Sequence, residues 1–250
     1  MKLTRREILA GLASFPLLGA CTRKPEEKVA PAKQPLSWPR TTTHAGLTAI
    51  ELFPNDADET SPVVVAIHGL GDRPQHWVEG WRSFPRKAQI GLPQAFTPHG
   101  DGYSWFPLRD TMTEAELGVK VGESEAKLWA GLLEIAGSRK LIVTGFSQGG
   151  MLSYTMATRH ADRISHAFPI SGFCPPTLVP KNQTPTVPVL ALHGTADKVL
   201  PIQLDRDTVA AFKANGSKID LREYEGIGHT ITPEMRRDWW AALSDAVNAS

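Results

Sequence analysis

The sequence predicts a single α/β domain in which a mostly parallel central sheet is covered by helices on both faces, with no cap domain. Three observations carry that expectation. Short apolar, β-branched runs recur along the chain, longer segments of helical period lie between them, and most of the runs end at a glycine or a Ser-Gly step. A strand buried on both faces reads as a continuous apolar run, because neither side of it meets water.

The elements follow in order. Val63 to Ile67 is the first such run, opened by Pro62 and closed near Gly69. Leu141 to Thr144 repeats it before Gly145, Ala167 to Ile170 before Ser171-Gly172, and Pro188 to Leu192 before Gly194. Helical period marks Glu114 to Ala136, Gly149 to His160, Ile202 to Ala214 and Pro233 to Val247. Gly46 to Phe53 alternates apolar and polar, which suits an antiparallel or edge strand at the start of the sheet. The longest irregular stretches, Thr97 to Thr113 and Gly172 to Thr186, are lid-sized at most. The domain is expected over residues 41–250.

Upstream of it the chain changes character. A short basic stretch, Met1 to Arg6, precedes an apolar run from Ile8 to Ala20 that is too short to span a bilayer and reads as a signal-peptide core over residues 1–20. Thr4-Arg5-Arg6-Glu7-Ile8-Leu9 resembles a twin-arginine export signal, although Ile8 and Ala10 depart from its usual Phe and Lys. Leu18-Gly19-Ala20-Cys21 resembles a bacterial lipobox, which makes Cys21 the expected lipid attachment point. Residues 21–40, with four prolines and no periodicity, cannot bury enough apolar surface to order themselves and read as a flexible tether of up to roughly 60 Å. The expected address is the cell envelope, on the periplasmic face of a bacterial membrane, the outer membrane where there is one.

The 250 residues carry 27 basic and 26 acidic side chains, a net charge of +1, so no global field points to nucleic acid. With two cysteines, Cys21 and Cys174, there is no disulfide framework, and no Cys/His spacing suggests a metal site.

The chemistry concentrates at the ends of the predicted strands. Gly145-Phe146-Ser147-Gln148-Gly149-Gly150 sits between a buried strand and a helix. A sharp turn there strains the serine and lifts its Oγ to the C-terminal edge of the sheet, while flanking glycines remove Cβ atoms that would clash. A serine is a weak nucleophile unless a base, itself oriented by an acid, takes its proton. Of the downstream histidines, His160 falls in a helix, His166 at a strand start, and His193 at a strand end where it is expected to pack. His229 follows Gly226-Ile227-Gly228 in a loop and is the expected base. Asp197, in the loop after the Pro188–Leu192 run, is the expected acid; Asp205 and Asp207 fall inside the next helix and Asp220 opens the last strand. Oxyanion stabilisation requires two backbone N–H groups, for which Gln148 and Leu70, the latter in His68-Gly69-Leu70-Gly71-Asp72, are the candidates.

Those motifs, together with Tyr103-Ser104-Trp105-Phe106 and with Val199 and Pro201 after His193-Gly194-Thr195-Ala196-Asp197, resemble the phospholipase/carboxylesterase family of α/β-hydrolases over roughly residues 45–248. The resemblance implies a Ser147–Asp197–His229 triad, an oxyanion hole at Leu70 and Gln148, and an aromatic, Trp105 with Phe106 beside it, near the acyl site. It leaves the segment around Trp77 and Trp81 unassigned. The expected activity is a serine carboxylesterase acting on short- to medium-chain esters through an acyl-enzyme, with no cofactor and no metal. Thioesterase, lysophospholipase and polyester depolymerase activities are alternatives on the same machinery. A surface binding protein on an inactive hydrolase fold is the alternative from another class. The expected partners are a small-molecule ester and, through Cys21, a membrane; nucleic acid is not among them.

Overall fold

The structure is a computed structural model and describes residues 39–108, 111–183 and 186–250. The expected signal segment, the Cys21 lipid site and the tether up to residue 38 lie outside the described residues. From the start of the domain the chain forms β1 (Arg40–His44), β2 (Leu47–Leu52), β3 (Val63–Ile67), a turn at Pro74–Trp77 and the short α1 (Val78–Arg82). It continues through β4 (Gln89–Pro93), β5 (Thr97–His99), β6 (Gly102–Ser104), α2 (Glu114–Ala136), β7 (Leu141–Phe146) and α3 (Gln148–Arg159). The last third is β8 (Ile164–Ile170), β9 (Val189–Gly194), α4 (Ile202–Ala214), β10 (Ile219–Tyr224) and α5 (Pro233–Asn248).

Eight strands make one sheet in the order β1-β2-β4-β3-β7-β8-β9-β10, parallel from β4 to β10 and antiparallel at β1 and β2. The expectation of an antiparallel strand over Gly46–Phe53 is met at β2. The segment is antiparallel, but it is not the edge, because the polar β1 covers its outer side and β2 is buried along nearly its whole length. Within β3 the side chains alternate: Val63, Val65 and Ile67 join one apolar cluster with α2, α3 and α4, and Val64 and Ala66 join a second with α1 and α5. Helices thus cover both faces, and the described residues belong to one compact unit.

Local chemistry sets the helix ends. Thr113 caps α2 by accepting from the Glu116 N–H (3.2 Å) while the Glu116 carboxylate accepts from the Thr113 N–H (2.8 Å), a reciprocal box that satisfies two donors with no carbonyl of their own. Thr232 caps α5 in the same sense, accepting from Met235 N–H at 3.2 Å, with Pro233 at the first helical position.

The strand order places the site. From β3 the chain steps outward to β4, then returns past β3 to lay down β7 on its other side. The segment after β3 leads to α1 on one face, and that after β7 enters α3 on the other. Neighbouring strands whose connections diverge in this way leave a crevice at their C-terminal ends, where open α/β sheets bind ligands.

Candidate active site

Ser147 stands at that crevice. It is the single residue between β7 and α3, with φ 56° and ψ −114°, a conformation that L-residues avoid. Packing on both sides holds it there: the Ser147 N–H donates to the Ile170 carbonyl (2.9 Å), and its carbonyl accepts from Met151 N–H (3.0 Å). Glycine is obligatory at position 149, where a Cβ would run into the carbonyl of Ile67 at the end of β3. α3 begins at Gln148, one residue earlier than its periodicity predicts, so the Gln148 N–H heads the helix with no carbonyl one turn back to accept it.

Across the crevice lies the loop after β3. A Cβ placed on Gly69 would sit 3.3 Å from the Ser147 Cβ, so this loop runs directly against the serine. Leu70 is next in the chain and 40% exposed. Among the described residues its N–H makes none of the turn hydrogen bonds that hold its neighbours; those are made by Gly71 N–H to the Tyr103 carbonyl (2.9 Å) and Asp72 N–H to the Gly69 carbonyl (3.4 Å). The two amides singled out by the sequence, Leu70 and Gln148, are thus both without a local acceptor and flank Ser147.

His229 Nδ1–H donates to Asp197 Oδ2 at 2.7 Å, and the imidazole ring lies against Phe146, with centroids 4.7 Å apart. Asp197 is buried, and its other oxygen accepts from Val199 and Leu200 N–H, each at 2.9 Å. Burial pushes the Asp197 carboxyl up. The His229 hydrogen bond and the two amides outweigh that and hold it below the ordinary carboxylate value. Asp197 and His229, 32 positions apart in sequence, thus pair beside Phe146, the residue before Ser147.

Trp105 and Phe106, expected near an acyl group, are 3% and 2% exposed and packed into the core. Their backbone and side chains tie the crevice together. Trp105 Nε1–H donates to the His68 carbonyl (2.9 Å), Trp105 N–H donates to Gln148 Oε1 (3.0 Å), and Gln148 Nε2–H donates to the Phe106 carbonyl (2.8 Å). His68 completes the brace. It accepts from Ala95 N–H at Nε2 (3.2 Å), which leaves the ring proton on Nδ1, donated to the Gly69 carbonyl (2.7 Å). Burial holds this imidazole below its usual pKa and so neutral, as the tautomer requires.

The sequence reading missed a buried polar chain behind the acid. His193 is fully buried, its Nδ1 2.9 Å from Asp205 and its Nε2 donating to the Leu200 carbonyl (2.8 Å), 3.3 Å from Asp197 Oδ2. Asp205 in turn accepts from the Tyr154 hydroxyl at 2.5 Å. Burial pushes His193 down, but the Asp205 hydrogen bond and charge overcome it and raise its pKa. The signal was present: Ile202, Asp205, Val209 and Phe212 share one helical face, and an acid within an apolar stripe marks a buried partner. Among the described residues no group of three His, Cys, Asp or Glu side chains is placed to hold a metal ion, and no helix is long and apolar enough to cross a membrane.

Comparison with known proteins bears on the family and the fold. The acyl-protein thioesterase 1 of Gibberella zeae is 22% identical over 224 residues, covering 76% of this chain and 92% of its own. Among solved structures, the esterase PE8 superposes with a TM-score of 0.70 at 24% identity, covering 80% of this chain and 99% of its own. The Zea mays acyl-protein thioesterase 2 superposes with a TM-score of 0.63 at 22% identity, covering 80% and 98% respectively. At these identities the superpositions speak to the fold. Residues 50–244 match the phospholipase/carboxylesterase family as a whole, and the chain belongs to that family.

Proposed function

We propose that the protein is a lipid-anchored envelope carboxylesterase that cleaves short- to medium-chain esters with Ser147 as nucleophile. The observation that supports it most directly is the strained Ser147 between β7 and α3, next to Phe146, against which the His229–Asp197 pair lies. In this reading Ser147 Oγ attacks the acyl carbon while His229 Nε2 takes its proton. Asp197 keeps the other ring proton on Nδ1, so that Nε2 is free to accept. The Leu70 and Gln148 amides receive the negative charge that develops on the carbonyl oxygen. Collapse breaks the bond to the alcohol, which leaves with the proton held by His229. Water then repeats the sequence on the acyl-serine, releasing the acid and restoring Ser147.

In this reading the acyl chain is held in an apolar recess. That recess, of about 280 Å³, lies between Phe173 and Val179, in the segment after β8, and Leu204 and Thr208 on α4. That is just under the range of about 300–1,000 Å³ usual for small-molecule sites. Each methylene it shelters adds about 0.8 kcal/mol, and carbons beyond it gain nothing. Rates on nitrophenyl esters of graded length should climb over the first several carbons and then level, and a fluorophosphonate should label Ser147 and no other serine. Activity that persists in Ser147→Ala, or labelling elsewhere, defeats the nucleophile; a steady rise through long acyl chains defeats the short-chain reading.

A second reading, thioester hydrolysis on the same triad, is favoured by the relatives named as acyl-protein thioesterases. Matched oxygen and sulfur esters of one acyl group decide between them. Cys21→Ser should move activity from the membrane fraction to the soluble one, and wild-type activity found soluble would defeat the anchor.

A further inference from the structure

Two histidines share one oxygen of Asp197. His229 donates to Oδ2 at 2.7 Å, and the fully buried His193 brings its Nε2 to within 3.3 Å of the same atom. By the sum of those two contacts the ring nitrogens are no more than about 6 Å apart. His229 is part of the triad; the reaction as written above makes no use of His193.

The partners of His193 fix its protons. Nε2 lies 2.8 Å from the Leu200 carbonyl, which can only accept, so Nε2 carries a hydrogen. Nδ1 lies 2.9 Å from Asp205 Oδ2, and the other Asp205 oxygen accepts from the Tyr154 hydroxyl at 2.5 Å. Burial, with the Asp205 charge beside it, raises the Tyr154 pKa well above the ordinary phenol value, so the hydroxyl keeps its proton and donates it. A carboxylate already accepting from a phenol completes its hydrogen bonding by accepting from Nδ1 as well, which leaves a hydrogen on both ring nitrogens and a positive charge on the ring. The raised pKa of His193 has the same cause: burial opposes the charge, and the Asp205 hydrogen bond and charge outweigh it. The other groups around the chain are already matched or neutral. Glu223 on β10 stands in register with His193 but is paired with Arg206 at 2.6 Å, and burial keeps the Cys174 thiol near Tyr154 protonated.

We propose that His193 is a positioning residue for the hydrolysis, a buried imidazolium that ties the catalytic carboxylate to Asp205 and Tyr154 and keeps the triad active at lower pH than Asp197 alone would allow. The proposal rests on the hydrolase reading above. His193 is fully buried, touches no substrate and acts through Asp197. His229 serves as base only while its Nε2 is unprotonated, and the negative charge of Asp197 favours the blocking proton. A fixed cation on the same carboxylate oxygen offsets that charge. At an effective dielectric constant of about 20, unit charges about 6 Å apart interact by roughly two pH units, and the opposite charge of Asp205, on the other nitrogen of the His193 ring, cancels part of it. A net effect of about one pH unit remains.

The test is the pH profile of kcat/KM on nitrophenyl butyrate for the wild type and His193→Gln. The acid limb of that profile reports the proton whose uptake stops the triad. In the variant Asp205 loses its counter-charge and takes up a proton, and the limb should move up by about one pH unit, so that activity lost on the acid side returns as pH rises. A role in the fold alone would lower the whole profile without moving its midpoint. A limb that stays in place or moves down overturns the proposal. If His193→Gln does not fold, the wild type decides. With ¹⁵N-labelled histidine, His193 should keep both ring N–H signals as pH rises past the ordinary imidazole value of 6.5, and a single ring N–H there overturns it. An unmoved limb in an active enzyme removes the role of His193 and leaves the hydrolase intact. If the wild type cleaves no ester at all, the hydrolase reading falls and this one falls with it.

Discussion

Asp197→Asn isolates the role of the acid from its role in the fold. One Asp197 oxygen accepts from the Val199 and Leu200 amides, each at 2.9 Å, and the other accepts from His229 at 2.7 Å. An asparagine keeps the first oxygen as its carbonyl and turns its NH₂ toward His229. Nδ1 must then accept rather than donate, the ring proton moves to Nε2, and Nε2 can no longer receive the proton of Ser147. A wrong tautomer of this kind lowers kcat by about 10⁴ in serine triads, which at 1.36 kcal/mol per decade is a barrier increase of roughly 5.5 kcal/mol. The fold loses much less. One charge-assisted bond is worth about 1.5–3 kcal/mol, or roughly 3–12 °C in Tm for a domain of this size. Steady-state kcat on nitrophenyl butyrate and a thermal melt of the same preparation separate the two effects. A folded variant that keeps more than a tenth of the wild-type kcat would refute the assignment of Asp197.

Asp205→Asn should act the other way, on stability first. It leaves the buried His193 with only Asp197 to face, a cost of about 3–5 kcal/mol, or roughly 6–20 °C in Tm; a drop of under about 2 °C would contradict the ionic reading of that pair. Because the His193 pKa is raised in the folded state, its contribution is complete below the unfolded imidazole value of 6.5 and is lost as pH rises through the higher folded value. Denaturant unfolding should therefore show stability falling as pH rises above 6.5, and His193→Gln should flatten that slope; an identical slope in the variant rules the group out. Trp105→Phe should keep the core filled but remove the donor to the His68 carbonyl, costing about 1–3 kcal/mol and lowering kcat by roughly tenfold with little change in KM. A Tm loss with kcat untouched would mean that the indole supports the fold alone.

What the sequence made legible was whatever a few neighbouring residues determine. β3, β7, β8 and β9 are apolar runs, and their burial on both faces follows from composition. The Gly145–Gly150 turn and the loops carrying Asp197 and His229 announce themselves by residue type and by position after a strand. β4 does not: Gln-Ile-Gly-Leu-Pro contains a glycine and a proline, and only pairing with β2 and β3 makes it a strand. β1, Arg-Thr-Thr-Thr-His, is polar because it is the true edge of the sheet, and with β1 in place the segment behind it stops being one. The buried His193–Asp205–Tyr154 chain spans 51 residues of sequence, and no local pattern joins its members.

The same limit explains Trp105. By residue type an aromatic in a loop near a catalytic serine reads as a wall for substrate, yet this one faces inward, and the reason lies in three separate segments. Tyr103 exchanges hydrogen bonds with Gly71 and Asp72, Trp105 holds the His68 carbonyl, and Gln148 clasps the Trp105 amide and the Phe106 carbonyl. Ser124 on α2 donates to the Trp105 carbonyl at 2.8 Å, anchoring the strap to a long helix. Four residues thus brace the loop bearing Leu70 and the helix start bearing Gln148 at once. Donors that stabilise an oxyanion act by being held in place before charge develops, so a rigid strap across both is worth more to the reaction than another apolar contact with the acyl chain.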